Sequence, residues 1–231
     1  MGLKALLASP TYGPVDPECV QATRYAVMVA ARNGITWQGD VSADRMTYSG
    51  ARNLATNWVY DNKGEVDGIM WVDSDMVPER LDILKVIKSA EHNNADIYTG
   101  IYHQRRPHYD PCVYEWHETL YNQWRAYQND QIYKADACGF GFVWTSEKVI
   151  RAIKDSEYFG FETGQWFPSV FDGIGKFGED IGFCNMARLL GFKVYADTSI
   201  RVDHMGNGQR VNLKTQQDYE KTVPRHKVEL A

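Results

Sequence analysis

Two aspartates, Asp73 and Asp75, stand on either side of Ser74 at the end of a short apolar run, residues 66–72. Side chains alternate along an extended backbone, so an extended chain here would point both carboxylates to one side. Two carboxylates that face one space either raise the pKa of one of them or bind a cation, and oxygen ligands suit Mg²⁺ or Mn²⁺. A plainer interpretation is that Asp and Ser form a turn and cap a helix that begins at Pro78.

Further residues capable of chemistry lie downstream. Glu179 and Asp180 precede the helical stretch "IGFCNMARLL", and His204 follows a short strand-like segment. A carboxylate can act as a general base, and a neutral imidazole can bind a metal ion. Each also has a structural interpretation. Acidic residues cap helix N-termini, where the free N–H groups would lower the carboxylate pKa and weaken it as a base, and a loop histidine often only makes a hydrogen bond.

The apolar pattern predicts strands and helices that alternate along the first half of the chain. Strands are predicted at residues 3–8, 35–38, 66–72 and 96–102, and helices at residues 17–32, 50–60 and 78–91. This order favours an α/β fold with a mainly parallel central sheet flanked by helices. Ligands of such sheets bind beyond the carboxyl ends of the strands, which is where Asp73 and Asp75 are expected.

The pattern changes after His103. The aromatic and polar residues 104–133 predict a hairpin and loops that lie over the sheet. The segment "ACGFGFVWTSEKVIRAI" predicts a strand interrupted by glycines and then a helix. A helix at 180–190, a strand at 193–196 and a polar tail complete the prediction.

Composition limits the classes of function. The chain has 231 residues, 44% of them hydrophobic, and a net charge of −5, which gives no general attraction to a nucleic-acid backbone. Arg105, Arg106 and His108 could still form a local basic patch. The four cysteines have no metal-ligand spacing, and the longest apolar stretch is too short to span a bilayer. We therefore expect a cytoplasmic protein with no membrane span.

Several short motifs, taken in order, resemble the nucleotide-sugar-dependent glycosyltransferases of the GT-A fold, especially family 2. They are "SGARN", "DSD" after an apolar strand, "ACGFGFVW", "GED" at the start of a helix, and "VDH" after the next strand. The resemblance implies a single Rossmann-like GT-A domain over residues 1–206. It also implies that the tail, residues 207–231, packs on the site or closes over it.

The resemblance also implies a role for individual residues. Asp180, with Glu179, would be the catalytic base. Asp73, Asp75 and His204 would hold the metal ion, Mn²⁺ or Mg²⁺. The residues that would contact the nucleotide part of the donor are Pro10, Thr11, Tyr12, Asp40, Arg52, Asp73 and Ser74, and Asp73 is thus expected at the ribose or the metal ion.

The expected reaction is transfer of a sugar from a nucleotide donor, UDP-linked by preference, to an acceptor hydroxyl. A cation neutralises the charge left on the diphosphate, and a carboxylate removes the proton of the acceptor, which favours inversion. The expected acceptor is a glycan or another hydroxyl compound. Two alternatives are a non-catalytic protein that binds nucleotide sugars or glycans, and a Mg²⁺-dependent nucleotidyl or phosphoryl transferase.

Overall fold

The computed structural model describes residues 2–11, 13–42, 46–156, 159, 165–168, 178–206 and 208–223. Its helices are α1 (Pro17–Arg32), α2 (Tyr48–Asp61), α3 (Asp82–His92), α4 (Glu147–Lys154), α5 (Glu179–Leu189) and α6 (Leu213–Thr222). Its strands are β1 (Leu3–Ala8), β2 (Ile35–Val41), β3 (Gly68–Val72), β4 (Met76–Val77), β5 (Ile97–Ile101), β6 (Val113–His117), β7 (Leu120–Gln123), β8 (Ile132–Ala135), β9 (Ala137–Cys138), β10 (Phe142–Ser146), β11 (Val194–Arg201), β12 (Asp203–Gly206) and β13 (Gln209–Val211).

The centre of the fold is a seven-stranded sheet in the order β2-β1-β3-β10-β5-β11-β8. The pairs β1–β2, β1–β3 and β5–β11 are parallel, whereas β10 is antiparallel to both of its neighbours and β8 is antiparallel to β11. The sheet is therefore mixed, although β1, β2, β3, β5 and β11 share one direction. Strand β10 runs the other way because the chain between β5 and β10 contains strands rather than a crossover helix, so it re-enters the sheet from the edge at which it left.

Helices cover both faces of the sheet. One core cluster joins the sheet to α2, α4 and α5, and a second joins it to α1 and α3. Strands β3 and β5 are buried along their whole length, as expected of strands packed on both faces. None of the described helices combines the length and apolar composition needed to cross a membrane.

Two small sheets lie outside the central one. Strands β6 and β7 form the hairpin predicted after His103, and β9 pairs with β6. Strand β12 pairs with β13 on one side and with β4 on the other. The second small sheet places the segment after β11 directly beside the chain that follows Asp75.

Several predicted boundaries need correction. Strand β1 and helix α1 have their predicted bounds, but β2 extends to Val41, so Asp40 lies within this strand rather than after it. Helix α3 begins at Asp82 and not at Pro78, because Met76 and Val77 form β4 and the chain turns before the helix. The described part of the tail contains β13 and α6.

Candidate functional site

A cleft opens where β1, β2 and β3 end. It has a volume of about 610 Å³, and four of the residues predicted to bind a nucleotide line it: Thr11, Asp40, Asp73 and Ser74. The remaining wall comes mainly from one side of α1 and from β2: Cys19, Val20, Thr23, Arg24, Val27, Met28, Ala31, Trp37, Gln38 and Gly39. The parallel strands bring these groups together because their carboxyl ends share one edge.

The predicted nucleotide contacts before Arg52 differ in their local surroundings. Pro10 is buried, and its carbonyl accepts a hydrogen bond of 3.4 Å from the backbone N–H of Ser74. The Thr11 hydroxyl donates to Ser9 O at 3.1 Å. Asp40 is exposed and accepts a hydrogen bond of 3.1 Å from the Ser42 hydroxyl. Tyr12 lies outside the described residues.

The Asp-Ser-Asp segment is a turn. The Met76 N–H donates to Asp73 O at 3.0 Å, and the Asp73 N–H donates to Gly141 O at 2.9 Å. The alternative interpretation of a turn is therefore confirmed, and the condition of an extended chain is not met; the turn does not cap a helix at Pro78, because α3 begins at Asp82. Asp and Ser favour turns, and β4 must leave this point to pair with β12 rather than continue the central sheet.

Within the described part of the chain, Asp75 has two partners on one carboxylate oxygen and none on the other. Its Oδ2 lies 3.3 Å from His204 Nε2 and 3.0 Å from Arg105 Nη1. Its Oδ1 is buried without a hydrogen-bond partner among the described residues. Burial by itself would raise the pKa of Asp75, but the hydrogen bond with His204 and the charges of His204 and Arg105 outweigh it and lower that pKa.

The orientation of His204 follows from the pairing of β12 with β4, which sets His204 opposite Met76. Its Nδ1 lies 2.8 Å from His103 O. A carbonyl oxygen can only accept, so Nδ1 donates, and the second ring nitrogen, Nε2, faces Asp75 Oδ2 at 3.3 Å. A second ring nitrogen held by a carbonyl is the usual arrangement of a metal-binding histidine.

Arg52 joins Asp73 to Glu179. Its Nη2 donates to both oxygens of Asp73, at 3.2 and 3.0 Å, and its Nη1 donates to Glu179 Oε1. Arg52 is 3% exposed, and its guanidinium lies over the rings of Phe140 and Phe167. Burial would lower the pKa of Arg52, but the charges of Asp73 and Glu179 outweigh it and raise that pKa. Arg52 was predicted to contact the nucleotide donor. In the structure both of its terminal nitrogens instead donate to carboxylates of the site, those of Asp73 and Glu179.

Burial also has the largest effect on the pKa of Asp73. It raises this pKa to about 6, although Arg52 acts to lower it, and the charge of Asp75 raises it further. The two aspartates of one turn thus differ: Asp73 shares the buried guanidinium, whereas Asp75 faces the imidazole.

Asp180 lies in the first turn of α5, next to Glu179. Burial, followed by the charge of Glu179, raises the pKa of Asp180 to about 6, although Arg52 and the N–H of Ile181 both act to lower it. The expectation that the helix N-terminus makes Asp180 a weak base is therefore wrong, since burial outweighs the helix end. A carboxylate with this pKa is deprotonated at neutral pH and basic enough to accept a proton from a hydroxyl.

The glycines of "ACGFGFVW" make room for one side chain that the sequence did not single out, Tyr102. A Cβ at Gly139 would overlap the Tyr102 hydroxyl, and a Cβ at Gly141 would lie 2.8 Å from Tyr102 Cζ. The Tyr102 ring in turn packs edge-on against His204, with 5.5 Å between ring centroids. The closely spaced glycines are the only indication of this contact in the sequence.

Asp75 and His204 offer atoms that can bind a cation. The unpartnered, buried Oδ1 of Asp75 and the Nε2 of His204 are suitable ligands for Mn²⁺ or Mg²⁺. Across the described ranges, however, no three His, Cys, Asp or Glu side chains form a ready metal-binding group. Asp73 is the predicted ligand held elsewhere, by Arg52.

The comparisons with known proteins bear on the fold. No protein-family model matches the sequence, and no curated protein matches it. Among solved structures, the crystal structure of A197 from STIV is similar, with a TM-score of 0.60 and 18% identity over 92% of this chain and 91% of that chain. A similarity at this level of identity shows a shared α/β fold.

Proposed function

We propose that this protein is a divalent-cation-dependent glycosyltransferase that moves a sugar from a nucleotide donor to an acceptor hydroxyl. The observation that carries the proposal is the Asp75–His204 pair, which adjoins the nucleotide-sized cleft through Asp73 and Ser74. Asp75 Oδ1 is buried and has no partner among the described residues, and His204 Nε2 lies beside the same carboxylate while His204 Nδ1 is held by His103 O. Such an oxygen and such a nitrogen are suited to bind a cation.

The cleft suits the nucleoside part of the donor. Its volume of about 610 Å³ lies within the usual range for small-molecule sites. Apolar side chains of α1 and β2 offer a surface for the base, and Thr11, Asp40 and Ser74 supply polar groups for the ribose. This arrangement favours a nucleoside diphosphate whose phosphates extend towards Asp75, with UDP as the first nucleotide to test.

The proposed reaction is a displacement at the anomeric carbon. Asp75 and His204 would hold the cation, which as a Lewis acid neutralises the charge on the leaving diphosphate. The acceptor oxygen forms a bond to the anomeric carbon as the bond to the diphosphate breaks, and that electron pair stays on the phosphate oxygen. Asp180 accepts the hydroxyl proton, which favours inversion of configuration.

A thermal-shift experiment tests the binding part of the proposal. A ligand that binds the folded protein raises the melting temperature by mass action, so UDP and UDP-sugars with Mn²⁺ should raise it more than either component alone. Asp75→Asn should abolish the Mn²⁺-dependent part of the rise. Asp96→Asn is the control, because Asp96 contacts Ser146 and Lys148 away from the cleft.

A full Mn²⁺-dependent rise in folded Asp75→Asn would contradict the role of Asp75. Failure of every nucleotide sugar to shift the wild type would contradict the proposed function. Release of UDP that is accelerated by an acceptor distinguishes a transferase from a protein that only binds the donor.

A further inference from the structure

Arg105 lies against the proposed cation site without belonging to the predicted motifs. It follows β5, and its Nη1 lies 3.0 Å from Asp75 Oδ2, the oxygen that also faces His204. Its aliphatic part crosses Gly206 of β12, where a Cβ would come within 2.9 Å of Arg105 Cγ and Cδ. Glycine at this position allows the side chain to reach Asp75.

Arg105 places a permanent positive charge beside Asp75 when no metal ion is bound. The Arg105 guanidinium lies at hydrogen-bond distance from Asp75 Oδ2 and pairs its permanent charge with that of the carboxylate. A divalent cation held by Asp75 and His204 would occupy the same small space and repel the guanidinium. The two positive charges therefore compete for Asp75.

Arg105 can also leave at little cost. Its side chain is 47% exposed, so its charge does not have to cross a buried region to move. A guanidinium released from a carboxylate is well suited to bind a phosphate through two parallel N–H groups. The bound diphosphate brings negative charge to this location.

We propose that Arg105 occupies the place of the cation at Asp75 in the free protein and transfers to the donor's diphosphate once the cation binds. This inference rests on the proposed function and adds a residue that couples metal binding to nucleotide binding. Arg105 thus opposes the cation when it binds alone and strengthens binding of the nucleotide that follows.

Calorimetric titrations test both halves of the inference without measuring activity. Mn²⁺ is titrated into the wild type, Arg105→Gln and Arg106→Gln, and UDP is then titrated in the presence of saturating Mn²⁺. Arg106 is the matched control, because it is the adjacent arginine and its Nε donates to Gln104 Oε1. Arg105→Lys is a second variant that keeps the charge and loses the planar fork.

Arg105→Gln should bind Mn²⁺ about twofold to fivefold more tightly than the wild type, the scale of a half-exposed ion pair. It should bind UDP about tenfold more weakly or worse, the scale of a lost charge-assisted contact. The affinities of Arg105→Lys should lie between those of the wild type and those of Arg105→Gln. The affinities of Arg106→Gln should match those of the wild type.

Wild-type affinities for Mn²⁺ and UDP in Arg105→Gln would overturn the role of Arg105, and so would the same changes of affinity in Arg106→Gln. In both cases, Mn²⁺-dependent binding of UDP by the wild type would still support the proposed function. A wild type that binds neither Mn²⁺ nor UDP would overturn both.

Discussion

At the scale of single residues, the basicity of Asp180 comes from its surroundings. The first turn of a helix favours a charged carboxylate, and Ile181 N–H donates to Asp180 Oδ1 at 2.8 Å. Burial and the adjacent Glu179 act in the opposite direction and prevail, which places the pKa at about 6. Glu179, by contrast, has its carboxylate on Arg52. Of the two predicted catalytic carboxylates, Asp180 is therefore the better candidate for the base.

We expect Asp180→Asn to slow sugar transfer by about a hundredfold or more while leaving UDP affinity close to that of the wild type. An amide cannot accept the proton of the acceptor, but it has nearly the same shape as the carboxylate. The wild-type rate should fall as the pH drops through about 6, because protonated Asp180 is no longer a base. The measurement is kcat as a function of pH for both proteins.

Asp136→Asn is a control, because Asp136 accepts a hydrogen bond from Trp116 N and neither binds nor catalyses in this scheme. An equal loss of UDP affinity and of kcat in Asp180→Asn would show that Asp180 supports the structure of the α5 terminus rather than the chemistry.

At the scale of elements, the segment from β9 to β10 shapes the site by lacking side chains. Gly139 and Gly141 lie against Tyr102, and the Gly141 N–H donates to the Tyr102 hydroxyl at 3.0 Å. Tyr102 then packs on His204, which faces Asp75. The position of one proposed metal ligand thus depends on close backbone approach at two glycines.

We expect Gly139→Ala to destabilise the protein by about 1 to 3 kcal/mol, the usual cost of overpacking a core. The added methyl group would displace Tyr102 and, through it, His204, so the affinity for Mn²⁺ should fall as well. Denaturant unfolding measures the first effect and calorimetry the second.

Gly39→Ala is the matched control, because among the described residues only Leu6 Cδ1, at 3.5 Å, lies within 4 Å of a Cβ there. If Gly139→Ala lowered stability and left Mn²⁺ affinity unchanged, His204 would not depend on Tyr102 for its position.

At the scale of the whole molecule, Arg52 connects parts of the chain that are far apart in sequence. It lies in α2 and binds Asp73 after β3 and Glu179 at the start of α5, which is 127 residues away. The two carboxylates surround a guanidinium whose side chain is 4% exposed. Arg52 therefore fixes the turn that carries Asp75 relative to the helix that carries Asp180.

We expect Arg52→Met to destabilise the protein by about 3 to 5 kcal/mol, because it leaves two carboxylates without their shared partner. Arg52→Lys should cost less, since an ammonium retains the charge, but it cannot bind both carboxylates as the fork does. Denaturant unfolding of each variant gives the change in free energy.

Lys88→Met removes an exposed partner of Glu91 and should change stability by less than about 0.5 kcal/mol. A similarly small change in the free energy of unfolding of Arg52→Met would mean that the ion pairs of Arg52 with Asp73 and Glu179 do not stabilise the fold.

The sequence by itself determined the features that depend on local pattern. Apolar periodicity gave β1 and α1 with their observed bounds, and the alternation of strands and helices gave an α/β fold. Because parallel strands share a carboxyl edge, it also placed Asp73 and Asp75 at that edge. Thr11, Asp40 and Ser74 were expected from the family resemblance, and in the structure they line one cleft together with Asp73. The residue types of the candidate site were thus readable before their contacts were known.

Only the tertiary structure decided which of those groups touch. The antiparallel direction of β10 and the pairing of β12 with β4 depend on how distant segments pack, which no local pattern encodes. The same is true of Arg105 on Asp75 and of Arg52 between Asp73 and Glu179. Burial, which sets the pKa of Asp180, is likewise a property of the packed molecule, since it requires residues from several elements to exclude water around one carboxylate.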